Sequence, residues 1–183
     1  MATGADIENT VSFETLTKAG KTNESFRWDT WEFTTEDDPK WVDADGIATK
    51  KFKPGEAIWV QGDVGYKFQT AGQVSQEDLI VALTNGNVAV GNSFPVEVDI
   101  QDIVATGEDV ENTVSFETLT KAGKTNESFR WDTWEFTTED DPKWVDSDGI
   151  ATKKFKPGEA IWVQGDIGYT IRIPAPDING KDE

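Results

Sequence analysis

The spacing of apolar and polar residues along the chain is that of strands. In "TVSFETLT" (Thr10–Thr17), Val11 and Phe13 alternate with polar neighbours, the period of two that a half-buried strand requires. "SFRWDTWEF" (Ser25–Phe33) is rich in aromatic residues, which favour strands, but its period slips between Trp28 and Trp31. That slip predicts a β-bulge or a strand covered on both faces. "KWVDADGIATKKF" reads as a hairpin with Asp-Gly at its tip, and "KPGEAIWV" as a Pro-Gly turn leading into a strand. "LIVALTNGNVAV" reads as a second hairpin, turning at Asn85-Gly86-Asn87. "VEVDIQDI" (Val96–Ile103) places Val96, Val98 and Ile100 on one strand face and acids on the other. No window carries helical periodicity, so the expected class is all-β, built from antiparallel β-sandwich or open-barrel modules.

The pattern occurs twice. Residues 2–66 and 105–169 align at a period of 103 residues with four differences: Ala5/Glu108, Ile7/Val110, Ala44/Ser147 and Val64/Ile167. A period this long describes an array of whole domains rather than a solenoid of short units. The start "ATGADIENT" matches the internal "ATGEDVENT", so the chain reads as a piece of a tandem array or a deliberate duplication. Three regions follow: copy one (1–67), a unique β segment (68–104) and copy two (105–183). Copy two with 68–104 makes a complete module. Copy one then lacks strands corresponding to Leu79–Leu83, Val88–Val90 and Val96–Ile103, and self-association is expected, by strand exchange into an oligomer or fibre. The alternative is a single domain in which both copies share the middle segment as pseudo-twofold halves.

"LTNGNVAVGNSFPVEVDIQDI", followed about fifty residues later by "FKPGEAIWVQ", resembles uncharacterised β modules of secreted and surface proteins in Bacteroidetes-like bacteria. The likeness covers Asn85–Asp99 and Pro157–Gln164, with Ser93 where those modules have proline. It implies a β-sandwich-like accessory module at the cell surface or secreted, with no catalytic residues to carry over.

Charge and composition narrow the chemistry. Thirty-five acidic residues against 17 basic ones give a formal net charge of −18, which repels nucleic acids and anionic membranes. Cysteine and histidine are both absent, which removes thiol nucleophiles, the usual neutral-pH base and the common transition-metal ligands. No apolar run reaches the ~20 residues of a membrane span, and "MATGADIENT" lacks the regions of a signal peptide. Serine-nucleophile, phosphate-loop and dinucleotide motifs are missing, and Gly20-Lys21-Thr22 reads as a polar hairpin turn. The expectation is a non-enzymatic protein.

Two constellations are left as candidate sites. Trp28, Trp31 and Trp41, with Trp131, Trp134 and Trp144 in copy two, are flanked by acids and lysine and suit stacking on the sugar rings of a glycan. Packing is the alternative for all six, and Trp59 and Trp162, within "AIWV", are assigned to the core. Asp43 and Asp45, with Asp146 and Asp148, supply the hard oxygen ligands of a calcium loop, although the spacing is not that of an EF-hand and fits an Asx-type turn equally.

Overall fold

A computed structural model describes residues 2–3, 11–16, 24–62, 65, 67–68, 74–83, 86–107, 114–119 and 127–176. The Gly20-Lys21-Thr22 turn lies outside them. The protein is all-β and forms two compact units, Met1–Gln73 and Val74–Glu183.

Unit 1 contains β1 (Ala2–Thr3), β2 (Ser12–Leu16), β3 (Ser25–Asp29), β4 (Lys40–Asp43), β5 (Gly46–Ile47), β6 (Ala57–Gln61) and β7 (Lys67–Phe68). Its main sheet is antiparallel in the order β5-β4-β3-β2-β6, and β1 pairs with β7. The alternation in β2 holds: Val11, Phe13 and Thr15 are buried and their neighbours only half so. The hairpin at Asp-Gly forms as expected, Asp43 facing Gly46. The Pro54-Gly55 turn closes through the Glu56 N–H on the Lys53 carbonyl, 3.0 Å away.

Unit 2 contains β8 (Leu79–Ala82), β9 (Asn87–Gly91), β10 (Val98–Asp99), a single 3₁₀ turn (Ile100–Asp102), β11 (Val104–Thr106), β12 (Ser115–Leu119), β13 (Ser128–Asp132), β14 (Lys143–Asp146), β15 (Gly149–Ile150), β16 (Lys154–Phe155), β17 (Ala160–Gln164) and β18 (Thr170–Ile173). A six-stranded sheet runs β15-β14-β13-β12-β17-β9, a three-stranded one β11-β18-β8, and β10 pairs with β16. A single core draws Phe116, Trp144, Ile161 and Val163 from the first sheet and Ala105, Ile171 and Ile173 from the second. Within the repeat, β12–β15 and β17 reproduce the register of β2–β6 residue for residue.

Three expectations are corrected. "SFRWDTWEF" is not one strand: β3 ends at Asp29 because its buried carboxylate captures the next turn. Asp29 Oδ2 accepts the N–H groups of Phe33 (2.9 Å) and Thr34 (3.0 Å), so the slip between Trp28 and Trp31 marks a strand end.

"LIVALTNGNVAV" is not a hairpin either, since β8 and β9 belong to different sheets. β8 pairs with β18 and β9 with β17, and backbone hydrogen bonds continue between the two pairings. The Leu83 N–H meets the Tyr169 carbonyl at 2.8 Å and the Gly165 N–H meets the Gly86 carbonyl at 2.9 Å. Between the pairs Ala82↔Thr170 and Asn87↔Gln164, five steps on one strand face six on the other. The longer side takes up its extra residue in a turn at Ile167-Gly168, closed by the Tyr169 N–H on the Asp166 carbonyl at 3.3 Å, where Gly168 supplies a positive φ of 101°.

Lastly, Val96–Ile103 is a strand only at Val98–Asp99. Asp99 then caps the 3₁₀ turn by accepting the Gln101 N–H at 3.0 Å. Val96 is exposed, while Ile100 and Ile103, three apart in that turn, both reach the core.

Gly107 marks a close approach. A Cβ there would overlap the ring of the buried Tyr169. Gly107→Ala is therefore expected to cost unit 2 about 1–3 kcal/mol by overpacking, measured as a lowered denaturant midpoint. An unchanged midpoint would mean that the ring moves aside freely.

Candidate functional site

The aromatic candidates separate by where β3 and β13 end. Trp28 and Trp131 lie inside the strands and are buried. Trp41 is half-buried and Trp144 is fully enclosed. Trp31 and Trp134, each 62% exposed, stand on the turns just past the strand ends. Sequence reasoning grouped three tryptophans per copy, but the fold presents one and uses the others as an edge-to-face pair, Trp28–Trp41 at 5.2 Å and Trp131–Trp144 at 5.1 Å. A row of exposed rings for a sugar is not assembled. Trp59 and Trp162, assigned to the core, are half-buried. Strand alternation turns Trp162 away from its buried neighbours Ile161 and Val163, and sets it between Ala89 and Glu117 across the sheet.

The turns that carry Trp31 and Trp134 are organised by a residue that sequence reasoning passed over. Asp132, with no side-chain exposure, accepts the N–H groups of Phe136 (2.9 Å) and Thr137 (3.1 Å) and the Thr137 hydroxyl (3.0 Å), and Arg130 Nη1 lies 3.2 Å away. Burial disfavours its charge, but these donors outweigh that and hold the carboxyl below its ordinary value; Asp29 is held down in the same way. Arg27 stacks over Phe33 and Arg130 over Phe136, at 5.6 and 5.7 Å from the ring centres. With so many acids in the chain, only burial distinguishes these two.

The calcium candidates serve as turn formers. Asp43 Oδ1 accepts the Asp45 N–H at 2.9 Å, and Asp146 Oδ1 accepts the Asp148 N–H at 2.8 Å, so the first aspartate of each pair is engaged in an Asx turn. Asp146 and Asp148 border an open cleft of about 630 Å³ that also includes Arg130 and Phe136. Among the described residues, no three acidic, histidine or cysteine side chains gather as a metal would require.

Unit 1 leaves open a face that in unit 2 is covered. In unit 2, β9, β10 and the 3₁₀ turn lie along β17, β16 and β14, so β17 is an interior strand. In unit 1, among the described residues, β6 pairs only with β2 and is an edge. The exposures follow: Val60 is 42% exposed against 0% for its counterpart Val163, and Phe52 is 38% against 2% for Phe155. Lys51 and Phe52 are not in a strand, whereas their counterparts Lys154 and Phe155 form β16.

The aromatic cluster beneath this face is nevertheless assembled in both units. Phe13 packs on Phe26 at 4.7 Å and on Trp41 at 4.8 Å, matching Phe116 on Phe129 at 5.0 Å and on Trp144 at 4.6 Å.

No protein-family model, curated protein or solved structure matches the chain. Among the described residues, no helix is long and apolar enough to cross a membrane.

Proposed function

We propose that the chain is a structural or adhesive β-repeat module, without catalytic chemistry of its own, that works outside the cell and joins to other copies through the open face and edge of unit 1. The observation that carries this reading is the contrast between Val60 and Phe52 on one side and Val163 and Phe155 on the other, the same residue types in the same local sequence. An edge with unpaired backbone groups beside exposed valine and phenylalanine is a template for another chain. The extracellular setting rests on the resemblance to secreted modules, with the charge of −18 favouring solubility at high local concentration.

Stoichiometry shapes the assembly. Each chain carries one covering segment and two copies able to receive it, so exchange between chains relocates an open face without removing it. A chain whose segment crosses to a neighbour's copy one leaves its own copy two as the next acceptor. Such a head-to-tail contact has no need to close and extends end to end.

Sedimentation at increasing protein concentration tests the reading. The average mass is expected to climb above the 20.3 kDa of one chain. A single 20.3 kDa species at every concentration would sink it.

A further inference from the structure

We infer that the open face of unit 1 is a receptor for one extended segment, with the sequence of Gly86–Ile103, delivered from outside the unit. This rests on the same face as the self-association reading and deepens it by naming what the face holds.

Unit 2 shows the segment seated. β9 runs antiparallel to β17 with Val90 opposite Ile161, Ala89 opposite Trp162 and Val88 opposite Val163. The Asn92 N–H donates to the Glu159 carbonyl at 2.9 Å, and its side-chain amide donates to the Phe155 carbonyl at 2.8 Å. Gln101 clamps the far end. Its side-chain amide donates to the carbonyls of Trp144 (2.9 Å) and Ala151 (2.7 Å), and its oxygen accepts the Trp144 N–H at 3.0 Å. Trp144 Nε1 in turn donates to the Ile103 carbonyl at 2.7 Å. Val90, Phe94, Val98, Ile100 and Ile103 enter the core from this stretch.

Every acceptor surface in that list recurs in copy one at a distance of 103 residues. Ile58, Trp59 and Val60 stand for Ile161, Trp162 and Val163; Phe52 and Glu56 stand for Phe155 and Glu159; Trp41 and Ala48 stand for Trp144 and Ala151. None of the four differences between the copies falls on them. The residues that make this complementarity in unit 2 are therefore present in unit 1, and what differs is that the segment lying between the copies is paired on copy two.

The same comparison sets the limit of the segment. β8 pairs with β18 (Thr170–Ile173) and is tied there by Asp78 to Arg172, but those residues lie past the repeat, where copy one reads Lys67–Thr70. Leu79–Ala82 therefore has no matching partner in copy one, and recognition is assigned to Gly86–Ile103 alone.

The test adds a synthetic peptide of residues 86–103 to the full isotope-labelled chain and follows backbone NMR signals. The two copies give separate signals because their surroundings differ, so unit 2 serves as an internal reference. Saturable one-to-one binding is expected, with the signals of Ile58–Gln61 moving toward those of Ile161–Gln164. Val60→Arg, at a position already exposed in the free unit, is expected to weaken binding about a hundredfold by placing a charge beneath the segment. A peptide carrying Gln101→Ala should bind about tenfold more weakly.

Unit 1 signals that stay in place at about 1 mM peptide, the effective concentration of a short tether, overturn the inference. So does binding that is indifferent to Val60→Arg. Sedimentation of the same samples keeps the two proposals apart. Oligomers that persist without peptide binding overturn the receptor and leave self-association, for instance face to face between two copies. Peptide binding to a chain that is monomeric at every concentration supports the receptor and removes self-association.

Discussion

Replacing Trp144 with alanine is expected to destabilise unit 2 by about 4 kcal/mol, while the same change at Trp41 should cost unit 1 about half as much. The two tryptophans occupy equivalent places in local sequence that differs only at Ala44/Ser147. Trp144 has no solvent exposure, packs against Phe116 and Trp131, and donates its indole N–H to the Ile103 carbonyl at 2.7 Å. Its removal leaves a large cavity and a buried carbonyl without its donor. Trp41 makes the same ring contacts but is only half-buried, so water fills part of the space that truncation opens. Denaturant unfolding of the two variants, with each unit followed by its own NMR signals, measures the difference. Equal losses at the two sites would show that the covering segment contributes nothing to the environment of Trp144.

Asp132→Asn is expected to cost about 3 kcal/mol at neutral pH although it preserves the shape of the side chain. The carboxylate is buried and accepts from two backbone N–H groups and a hydroxyl, with Arg130 alongside. An amide in its place turns a donor toward donors and removes one of the charge partners of Arg130, which also pairs with Glu135. Because the folded carboxyl is held below its ordinary value of 3.8, its contribution is complete above that value. It is then lost as the pH falls through the lower, folded value. The wild-type protein should thus lose stability in acid more steeply than Asp132→Asn, and the two curves should converge at low pH. Parallel curves would mean that the carboxylate is not held in its charged form.

Residues that the sequence makes legible are those whose behaviour is set within a few positions. Alternation predicts β2, and Asp45-Gly46 and Pro54-Gly55 predict turns, because a strand period and a turn dihedral are local properties. The sequence reads β8 and β9 as a hairpin because Gly86 with flanking strand residues looks alike whether the strands pair with each other or with β18 and β17. Asp29 and Asp132 were invisible for a different reason. Nothing in "RWDTWEF" separates a solvated aspartate from a buried one; only the fold of the next turn onto its oxygens does. Asn92 and Gln101 likewise read as ordinary polar residues; for Asn92 the signal is its place in "GNSFP", between a glycine and a proline and flanked by apolar runs.

The repeat separates the two kinds of information within one molecule. Sequence by itself determined the all-β class, the strands shared by both copies, their hairpin tips and the assembly of the same aromatic cluster twice, since all of these depend on residues inside the copy. The sequence expects a complete module at copy two but leaves a shared single domain open, and tertiary structure decided on which copy the segment lies. Val60 and Val163, or Phe52 and Phe155, have the same neighbours along the chain and opposite exposures, because burial is fixed by what lies across the sheet, and only copy two has β9, β10 and the 3₁₀ turn lying there.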